Sequence, residues 1–380
     1  MTVTLTETAL ETDTFAKYKR EIFPGIVSFA AGFPSYPREF SRDVITAGIL
    51  ATRAELIESG LLIGALYQAN KSEPQTGAEK GKIAHEIPGV TLKGRKGQTD
   101  YNACDTTPLF LIAAECQRYI HKSDISNIEP ALKDAIDHIS SHIKDDLYIE
   151  RPPEGADGFT LRVTMWKDSV LPQPGKEEPK YPVIYPQVHF IAARAFLSAA
   201  KLLGETKYEQ LADRMFKKGI REFIRPEGYV VYRDSEEELI QPSSDELHSL
   251  AYIPKKYIDL LPLDAIKKRA EILETPFGYM CTPRDISKQL EDKYHGSTIW
   301  TQDNGMIHYG SSKFGLSYEA DVAASIAPHI DKGQELFDIG WDDEGNEIPI
   351  IKQGNPVQLW SEATREYFAG HSSLLNDHWL

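Results

Sequence analysis

The alternation of helical stretches with long irregular segments is the feature of this 380-residue sequence that most constrains its fold. Apolar residues recur with a helical period over residues 43–70, and shorter helices are predicted at 108–121, 128–144, 187–203, 207–223, 263–273, 304–314, 319–330 and 358–368. Strand signals are few. The best, at residues 229–232 after a Pro-Glu-Gly turn, predicts one arm of a surface hairpin. This pattern excludes a doubly wound α/β fold.

The segments between the helices are rich in Gly, Pro, Tyr and Trp, at residues 24–41, 71–105, 151–186, 275–303 and 331–357. Long loops inside a compact domain are usually functional. Helices whose aromatic-rich loops recur about every 60–80 residues fit a toroid of paired helices with the loops at one end. We therefore predict an all-α fold, an (α/α)6 barrel with long loops and a small β-hairpin. It would form one catalytic domain over residues 25–380, after an N-terminal lead-in at 1–24.

Composition narrows the classes of function. A net charge of −15 without a local Lys/Arg cluster disfavours nucleic acid and anionic membranes as partners. The three cysteines lack CxxC spacing and are interpreted as reduced core thiols. No window approaches eighteen uninterrupted apolar residues, and the first residues lack a signal-peptide pattern, so we expect a cytoplasmic protein. The sequence leaves the oligomeric state open.

Nucleotide and metal signatures are absent from the sequence. It contains no GxxxxGK[ST] loop and no GxGxxG after a strand, and none of its eleven histidines lies in HExxH. Residues 342–347 resemble a calcium loop only in composition, because the alternating ligands and terminal Glu are missing, and a surface turn is the simpler interpretation. We therefore expect neither a metal nor a cofactor.

What remains is a set of carboxylates close to tryptophans. Glycosidic bond cleavage uses one carboxylic acid to protonate the leaving oxygen and one carboxylate to activate water or attack carbon. Indole faces supply apolar platforms for sugar rings. The candidate pairs are Trp166 with Asp168, Trp300 with Asp303, Trp341 with Glu335, and Trp360 with Glu362.

The first pair lies in a segment that we expect to be extended. Alternation along a strand would put Trp166 and Asp168 on one side and Lys167 on the other. The indole would then desolvate the carboxyl group of Asp168 and raise its pKa, as a general acid requires.

Eight segments together resemble a known family in their order and spacing. They are GFP (32–34), FSRD (40–43), GKIAHEI (81–87), YNACDTTPLF (101–110), WKDS (166–169), YHGSTIWTQDN (294–304), QELF (334–337) and QLWS (358–361). The chain resembles the glucosidase domain of glycogen debranching enzymes, of the amylo-α-1,6-glucosidase type. That domain belongs to the α/α-toroid set with glucoamylase, trehalase and mannosyl-oligosaccharide glucosidase. The resemblance extends over roughly residues 30 to 365.

The resemblance implies a role for each matching residue. Asp168 would be the general acid and Glu335 the catalytic base, and Arg42 with Asp43 would hold hydroxyls of the non-reducing sugar. The remaining substrate-binding residues would be Trp166, Gln187, His295, Trp300, Asp303 and Trp360. Three departures favour a small glycoside over a polymer: no β-rich domain precedes the toroid, Thr301-Gln302 replaces Pro-His, and Tyr185 replaces a Glu.

Several alternatives stay open at this point. Glu362, in the first turn of a predicted helix, is a rival for the base. Arg42 and Asp43 could form an ordinary helix-start ion pair, and Asp105, Asp303 and Asn304 could act as helix caps. The function expected is an inverting, exo-acting glycoside hydrolase for a small α-linked glycoside, most simply an α-glucoside. A glycoside phosphorylase on the same fold and a catalytically silent sugar-binding protein are the alternatives.

Overall fold

Helices dominate the computed structural model, which describes residues 14–23 and 26–371. The α-helices are α1 (Ser41–Ala51), α2 (Ala54–Leu66), α3 (Thr106–Tyr119), α4 (Glu129–Ser141), α5 (Pro186–Leu203), α6 (Thr206–Phe223), α7 (Ser244–Ser249), α8 (Leu263–Ala270), α9 (Arg284–Ser287), α10 (Thr301–Phe314), α11 (Ser317–Ala324) and α12 (Leu359–Glu366).

Six of these helices form a closed inner ring. Helix α1 packs on α3, α3 on α5, α5 on α7, α7 on α10, α10 on α12, and α12 returns to α1. Every residue of α1 and α7 is buried, as are nearly all residues of α3 and α10. A helix buried on all sides must be surrounded by other elements, which is the position of an inner helix in a toroid.

A second layer of helices covers the inner ring. Helices α2, α4, α6, α8 and α11 each follow an inner helix in the chain and pack against it. The outer helix α6 buries a single stripe, represented by Ala212, Phe216 and Phe223, and exposes its opposite face. The order of inner and outer helices confirms the predicted (α/α)6 toroid.

The strands are short and lie in the connections that lead into the inner helices. They are β1 (Lys19–Phe23), β2 (Ile26–Phe29), β3 (Gly32–Phe33), β4 (Glu39–Phe40), β5 (Glu86–Ile87), β6 (Ile143–Lys144), β7 (Leu147–Tyr148), β8 (Ile224–Arg225), β9 (Gly228–Arg233), β10 (Glu238–Ile240), β11 (Glu274–Thr275), β12 (Gly278–Tyr279), β13 (Ile299–Trp300), β14 (Leu336–Trp341), β15 (Glu347–Ile350) and β16 (Val357–Gln358). In the described residues they form sheets of two or three strands.

These small sheets join segments that are far apart in the sequence. Strand β16 pairs with β3, so Gln358 lies opposite Gly32. Strand β14 pairs with β13, so Leu336 lies opposite Trp300. The segments before α1, α10 and α12 are thereby fixed to one another at one end of the toroid.

The structure corrects two predicted elements. The helix predicted over residues 43–70 is two helices, because Thr52 adopts a left-handed conformation (φ 51°) and reverses the chain between α1 and α2. The predicted surface hairpin around Tyr229 is the centre of the sheet β8–β9–β10, and Tyr229 and Tyr232 are both fully buried.

The inner helix α7 was not predicted, because six residues are too few to display a helical period. Ser243 precedes it in an extended conformation and accepts a hydrogen bond from the backbone N–H of Asp245. This is the N-cap arrangement that starts a helix.

The described part of the predicted lead-in packs onto the toroid. Phe15 and Tyr18 are fully buried in the main core, and Lys17 forms an ion pair with Glu362 of α12. The domain boundary at residue 25 stays a prediction. The three cysteines are buried and form no disulfide, as the sequence predicted. No helix among the described residues is both long and apolar enough to cross a membrane.

Candidate active site

The predicted site residues converge because the inner helices present their N-terminal ends to the same end of the toroid. Arg42 and Asp43 are the second and third residues of α1, Gln187 is the second of α5, Asp303 the third of α10, and Trp360 the second of α12. Contacts between these ends, described below, join helices that are distant in the chain. A helix N-terminus carries partial positive charge, so this end of the ring favours carboxylates and sugar oxygens.

Arg42 connects three of the carboxylates. Its Nη2 donates to Oδ2 of Asp168 at 2.7 Å, and its Nη1 lies 3.3 Å from Oδ2 of Asp105. Its Nε lies 4.0 Å from Oδ1 of Asp43. Arg42 and Asp105 are buried, whereas 27% of the Asp168 side chain is accessible to solvent. Asp168 therefore lies where the buried charge cluster meets the open end of the ring.

The ionisation of Asp168 is decided by two opposing effects. Burial raises the pKa of its carboxyl group, and the Arg42 guanidinium partly offsets that rise. The net pKa is above the ordinary aspartate value, which is the direction a general acid needs.

Glu335 is held through one oxygen and free at the other. Its Oε2 accepts from the Tyr294 hydroxyl at 2.7 Å and from the Asn355 backbone N–H at 2.8 Å. No described residue donates to Oε1. Burial raises the pKa of Glu335 to about 7, and the negative charge of Asp168 acts in the same direction. A carboxyl group with that pKa can gain or lose a proton near neutral pH.

Two tyrosines form a relay behind Glu335. The hydroxyls of Tyr36 and Tyr294 are 3.2 Å apart. Because Tyr294 donates its single proton to Glu335, the hydroxyl of Tyr36 must donate to Tyr294. The charges of Glu335, Asp168 and Asp43 all help raise the pKa of Tyr36, which places its hydroxyl within the influence of all three carboxylates.

Asp43 is buried beside the pair. Gln358, immediately before α12, donates from Nε2 to Oδ2 of Asp43 at 3.2 Å. Burial raises the pKa of Asp43 well above its ordinary value; Arg42 opposes the rise, and Glu335 and Asp168 add to it. The alternative of an isolated helix-start ion pair does not describe this arrangement, because Arg42 bridges three carboxylates.

Three tryptophans, Trp166, Trp300 and Trp360, form one aromatic cluster centred on Trp300, whereas Trp341 is 63% exposed. The His295 ring stacks on Trp300 with centroids 4.6 Å apart, and Trp166 and Trp360 approach it edge-on at 5.7 and 5.9 Å. Trp300 is only 2% exposed. The expected open indole platform is therefore not present at Trp300, because its faces are covered by the other rings.

Several buried polar atoms around this cluster have no hydrogen-bond partner. They are both amide atoms of Gln187, Nε2 of His295 and Nε1 of Trp360. Burial holds the pKa of His295 well below its usual value, and its Nδ1 is 2.9 Å from the Ser169 hydroxyl. Buried polar groups normally have partners, so these atoms are candidates for contact with the hydroxyls of a bound sugar.

The segment that carries Asp168 is bent rather than extended. Residues 165–167 form bends, and the predicted alternation of side chains is wrong. Trp166 Nε1 and Lys167 Nζ both lie 3.0 Å from Oδ1 of Asp245, whereas Asp168 contacts Arg42. The predicted desolvation of Asp168 by a shared face with Trp166 is replaced by burial in the loop cluster as a whole.

Asp303 and Asn304 are buried below the cluster. Asp303 Oδ1 is 2.7 Å from Nδ1 of His248, and Asn304 bonds to both the N–H and the carbonyl of Tyr279. Neither is the N-cap of α10, since that position is Trp300. Asn304 thus fixes the backbone of the neighbouring loop, and Oδ2 of Asp303 has no partner.

The rival base Glu362 is neutralised elsewhere. Its carboxylate forms an ion pair with Lys17 and accepts from Nε of Arg365 at 2.9 Å. It belongs to the junction between the N-terminal segment and α12. Two cations already occupy its oxygens, whereas Glu335 keeps one oxygen free.

Sequence reasoning missed four residues that build the site: Tyr36, Tyr294, Asp245 and Asn355. Tyr294 directly precedes His295 in the segment YHGSTIWTQDN, so its position beside a predicted site residue could have indicated it. Asp245 follows a Ser-Ser pair that starts α7, which was itself unrecognised. Asn355 contributes its backbone N–H to Glu335, and no side-chain pattern can reveal such a contact.

Several solved structures have a fold similar to that of this chain. The chain is similar to the GH63 mannosylglycerate hydrolase from Thermus thermophilus in complex with Tris, with 16% identity, 94% of this chain and 98% of that chain covered, and a TM-score of 0.57. It is similar to the neutral trehalase Nth1 from Saccharomyces cerevisiae, with 8% identity, 93% and 75% covered, and a TM-score of 0.60. It is also similar to the rhamnosidase from Klebsiella oxytoca with rhamnose bound, with 12% identity, 90% of this chain and 59% of that chain covered, and a TM-score of 0.53.

These likenesses establish the fold. No protein-family model matches the sequence, and no curated protein matches it. The α/α-toroid architecture inferred from the ordered segments is confirmed, including its likeness to a trehalase. The narrower resemblance to the debranching-enzyme glucosidase domain stays an interpretation.

Proposed function

We propose that this chain is an inverting, exo-acting glycoside hydrolase that cleaves a small α-linked glycoside. The observation that carries the proposal is the pair of carboxyl groups on separate loops, Asp168 and Glu335. Both have raised pKa values, and the charge of Asp168 adds to the rise at Glu335. Arg42, which contacts Asp168, and His295, which contacts the adjacent Ser169, keep polar atoms that have no partner. Two carboxyl groups are the minimum machinery for glycosidic bond hydrolysis.

In the proposed reaction, Asp168 protonates the leaving oxygen while Glu335 activates a water molecule. The free Oε1 of Glu335 accepts the proton of the water as its oxygen forms the new bond to the anomeric carbon. The relay from Tyr36 through Tyr294, together with the Asn355 N–H, orients the carboxylate through its other oxygen. The electron pair of the broken glycosidic bond goes to the leaving oxygen, which receives the proton of Asp168. Glu335 gains one proton from water while Asp168 loses one, so charge is conserved.

The proposed reaction needs a proton on Asp168 and an ionised Glu335. Arg42 favours the ionised form of Asp168, while burial favours the protonated form of Glu335. In our proposal, sugar hydroxyls draw Arg42 away from Asp168 on binding, and the proton then moves to Asp168. The two groups titrate as a pair, so a pH profile reports the pair rather than either residue.

The proposed sugar site is formed by groups with spare hydrogen-bonding capacity. These are Arg42 and Asp43, the unpartnered amide of Gln187, Nε2 of His295 and Nε1 of Trp360. The names of the similar structures support a small substrate, since one is a mannosylglycerate hydrolase and another a trehalase. Small α-glucosides and α-mannosides, including those of polyols and acids, are therefore the substrates to screen.

The stereochemistry tests the proposed mechanism. Early product from an α-linked substrate, followed by NMR, should be the β-anomer, because an inverting pair is about 6.5–9.5 Å apart with water between the carboxylates. Retention of the α-anomer would contradict the assignment of Glu335 as a base. A strict requirement for phosphate would identify a phosphorylase instead.

Two variants assign the roles of the carboxyl groups. Asp168→Asn and Glu335→Gln should each lower kcat by about 10²–10⁴-fold on a natural glycoside. On an α-glycosyl fluoride, whose leaving group needs no proton, Asp168→Asn should recover most of its activity and Glu335→Gln should not. The reverse pattern would exchange the two roles.

Glu362→Gln is the matched control for these variants. Its carboxylate is paired with Lys17 and Arg365, so its removal should affect stability and leave turnover within a few-fold of wild type at a temperature where the variant is folded. Loss of turnover in folded Glu362→Gln, with Glu335→Gln active, would make Glu362 the base.

A further inference from the structure

A second cluster of ionisable side chains lies where α4 ends against the loop between α2 and α3. His138 is in the last turn of α4, His142 follows the helix directly, and Glu79 comes from the loop. Residues four apart on a helix share a face, and the two imidazole centroids are 4.7 Å apart. One ligand atom from each of the three residues lies within 4.8 Å of the others.

The hydrogen bonds of His142 determine where its ring protons are. Its Nδ1 is 2.9 Å from the carbonyl oxygen of Ile149, which can only accept, so Nδ1 carries a proton. Its Nε2 is 3.1 Å from Oε1 of Glu79. This contact is either a hydrogen bond within a histidine–carboxyl pair or a pair of ligand atoms that face the same cation. A tetrahedral zinc ion with bonds of about 2.0–2.2 Å holds its ligand atoms at a similar spacing.

His138 distinguishes these two possibilities. It is 3% exposed, yet no described residue forms a hydrogen bond with its ring nitrogens. The ring of His138 lines the cavity, and a hydrogen bond between His142 and Glu79 would not supply it with a partner. A metal ion bound to all three residues would.

The surroundings of the cluster suit a cation with an open coordination position. His138 and Glu79 line a cavity of about 290 Å³, together with the carboxylates of Asp134 and Asp137. Three protein ligands leave a fourth position for water, and the cavity gives water access to the cluster.

Three positive charges near the cluster oppose a cation. Lys80 lines the cavity, and the charges of Lys82 and Arg151 act on both Glu79 and His138. Lys80 and Arg151 are exposed to solvent, and Lys82 is already paired.

The ammonium group of Lys82 is fully buried and lies 3.5 Å from Oε1 of Glu150. The other carboxylate oxygen of Glu150 is 3.7 Å from Nδ1 of His142, where it supports the proton on that atom. Carboxylates beside a ligating histidine commonly act in this way.

We infer that Glu79, His138 and His142 bind Zn²⁺. Two imidazoles and one carboxylate suit this borderline metal better than Mg²⁺ or Ca²⁺, which prefer all-oxygen ligands. The ion would fasten the loop between α2 and α3 to the end of α4. The zinc site includes neither Asp168 nor Glu335, so the test of zinc binding does not depend on the proposed hydrolase activity.

The probe is Zn²⁺ itself, added to full-length, chelator-stripped protein without a histidine tag. Calorimetric titration should give one ion per chain with a Kd of about 1 µM or tighter, and Zn²⁺ should raise the Tm. Co²⁺ in its place should show the visible absorption of a four-coordinate site. Absence of binding at about 100 µM Zn²⁺ would leave a hydrogen bond between His142 and Glu79 and overturn the inference.

Two conservative variants locate the bound ion. His138→Ala and Glu79→Gln should each weaken Zn²⁺ binding about 10–100-fold or more. His142 is left unchanged, because its bond to Ile149 makes it part of the fold. The control is His329→Ala, a partly buried histidine that packs against Phe277 and Phe337. Zn²⁺ binding that is unchanged in either cluster variant, or lost in the control, would overturn the site.

Discussion

The two carboxyl oxygens of Glu335 have different surroundings, because one is held by hydrogen bonds and the other is not. Its Oε2 is bound by Tyr294 and by the Asn355 backbone, while Oε1 has no donor. The same burial that raises its pKa to about 7 makes its ionised form costly to the folded state. Catalytic groups are often held at such a cost.

At the residue scale, Glu335→Gln should stabilise the protein above pH 7. The folded-state pKa of about 7 lies above the unfolded value, so this carboxyl stabilises the fold fully below the unfolded pKa and loses that contribution as pH rises through 7. We expect the free energy of unfolding to rise by about 1–3 kcal/mol at pH 8.

Urea unfolding of wild type and variant at pH 5 and pH 8 checks this prediction. The gain should be much smaller at pH 5, because Glu335 is then protonated in the folded protein. An equal change at both pH values would mean that the amide alters packing and that the raised pKa has no energetic consequence.

At the scale of elements, the inner ring depends on the close approach of α7 and α10. Gly310 in α10 lies against the end of α7, and a Cβ built there would be 2.6 Å from the backbone nitrogen of Ala251. A backbone nitrogen cannot move aside by a change of rotamer, as a side-chain atom can. The two inner helices therefore set their separation at this glycine.

Gly310→Ala should destabilise the toroid by about 1–3 kcal/mol, because overpacking outweighs the gain of roughly 1 kcal/mol in helix propensity. Gly305→Ala in the same helix is the control. Its Cβ would meet the Cγ2 atom of Thr364 at 3.0 Å, a side-chain methyl that can shift. Thermal unfolding should show a lower Tm for Gly310→Ala than for Gly305→Ala, and equal Tm values would contradict the packing argument.

At the scale of the whole molecule, the toroid buries many carboxyl groups at its loop end. Burial raises the pKa of Glu39 to about 8, and the pKa values of Asp43, Asp105 and Asp168 are raised as well. These groups stabilise the fold at low pH and lose that contribution as pH rises through their folded values. Glu115 is the opposite case: Arg194 and Lys201 outweigh burial and lower its pKa to about 2.

We therefore expect maximum stability at mildly acidic pH. The contribution of Glu115 is complete above the unfolded glutamate pKa and is lost as pH falls toward 2, while those of Glu39 and Glu335 fade between the unfolded value and about 8. Chemical unfolding from pH 3 to 9 should give a maximum near the unfolded glutamate pKa, at about pH 4–5. Glu39→Gln should flatten the alkaline decline, and an unchanged slope would contradict the role assigned to Glu39.

Sequence alone determined the features that depend on local order. The 3.6-residue period located most helices to within a few residues, because each helix buries a stripe that local spacing records. The ordered segments identified the toroid and directed attention to Asp168 and Glu335. The cluster of Glu79, His138 and His142 could not be predicted in this way, because Glu79 comes from a loop that is distant in the sequence.

Tertiary structure decided what depends on contacts between distant parts of the chain. Arg42 reaches Asp168 across 126 positions, and Tyr294 reaches Glu335 across 41. Helix α7 forms because its neighbours bury all six of its residues, although it is too short to show a period. Local sequence sets the free energy of a turn of helix, whereas the ionisation and partners of a buried group are set by everything packed around it.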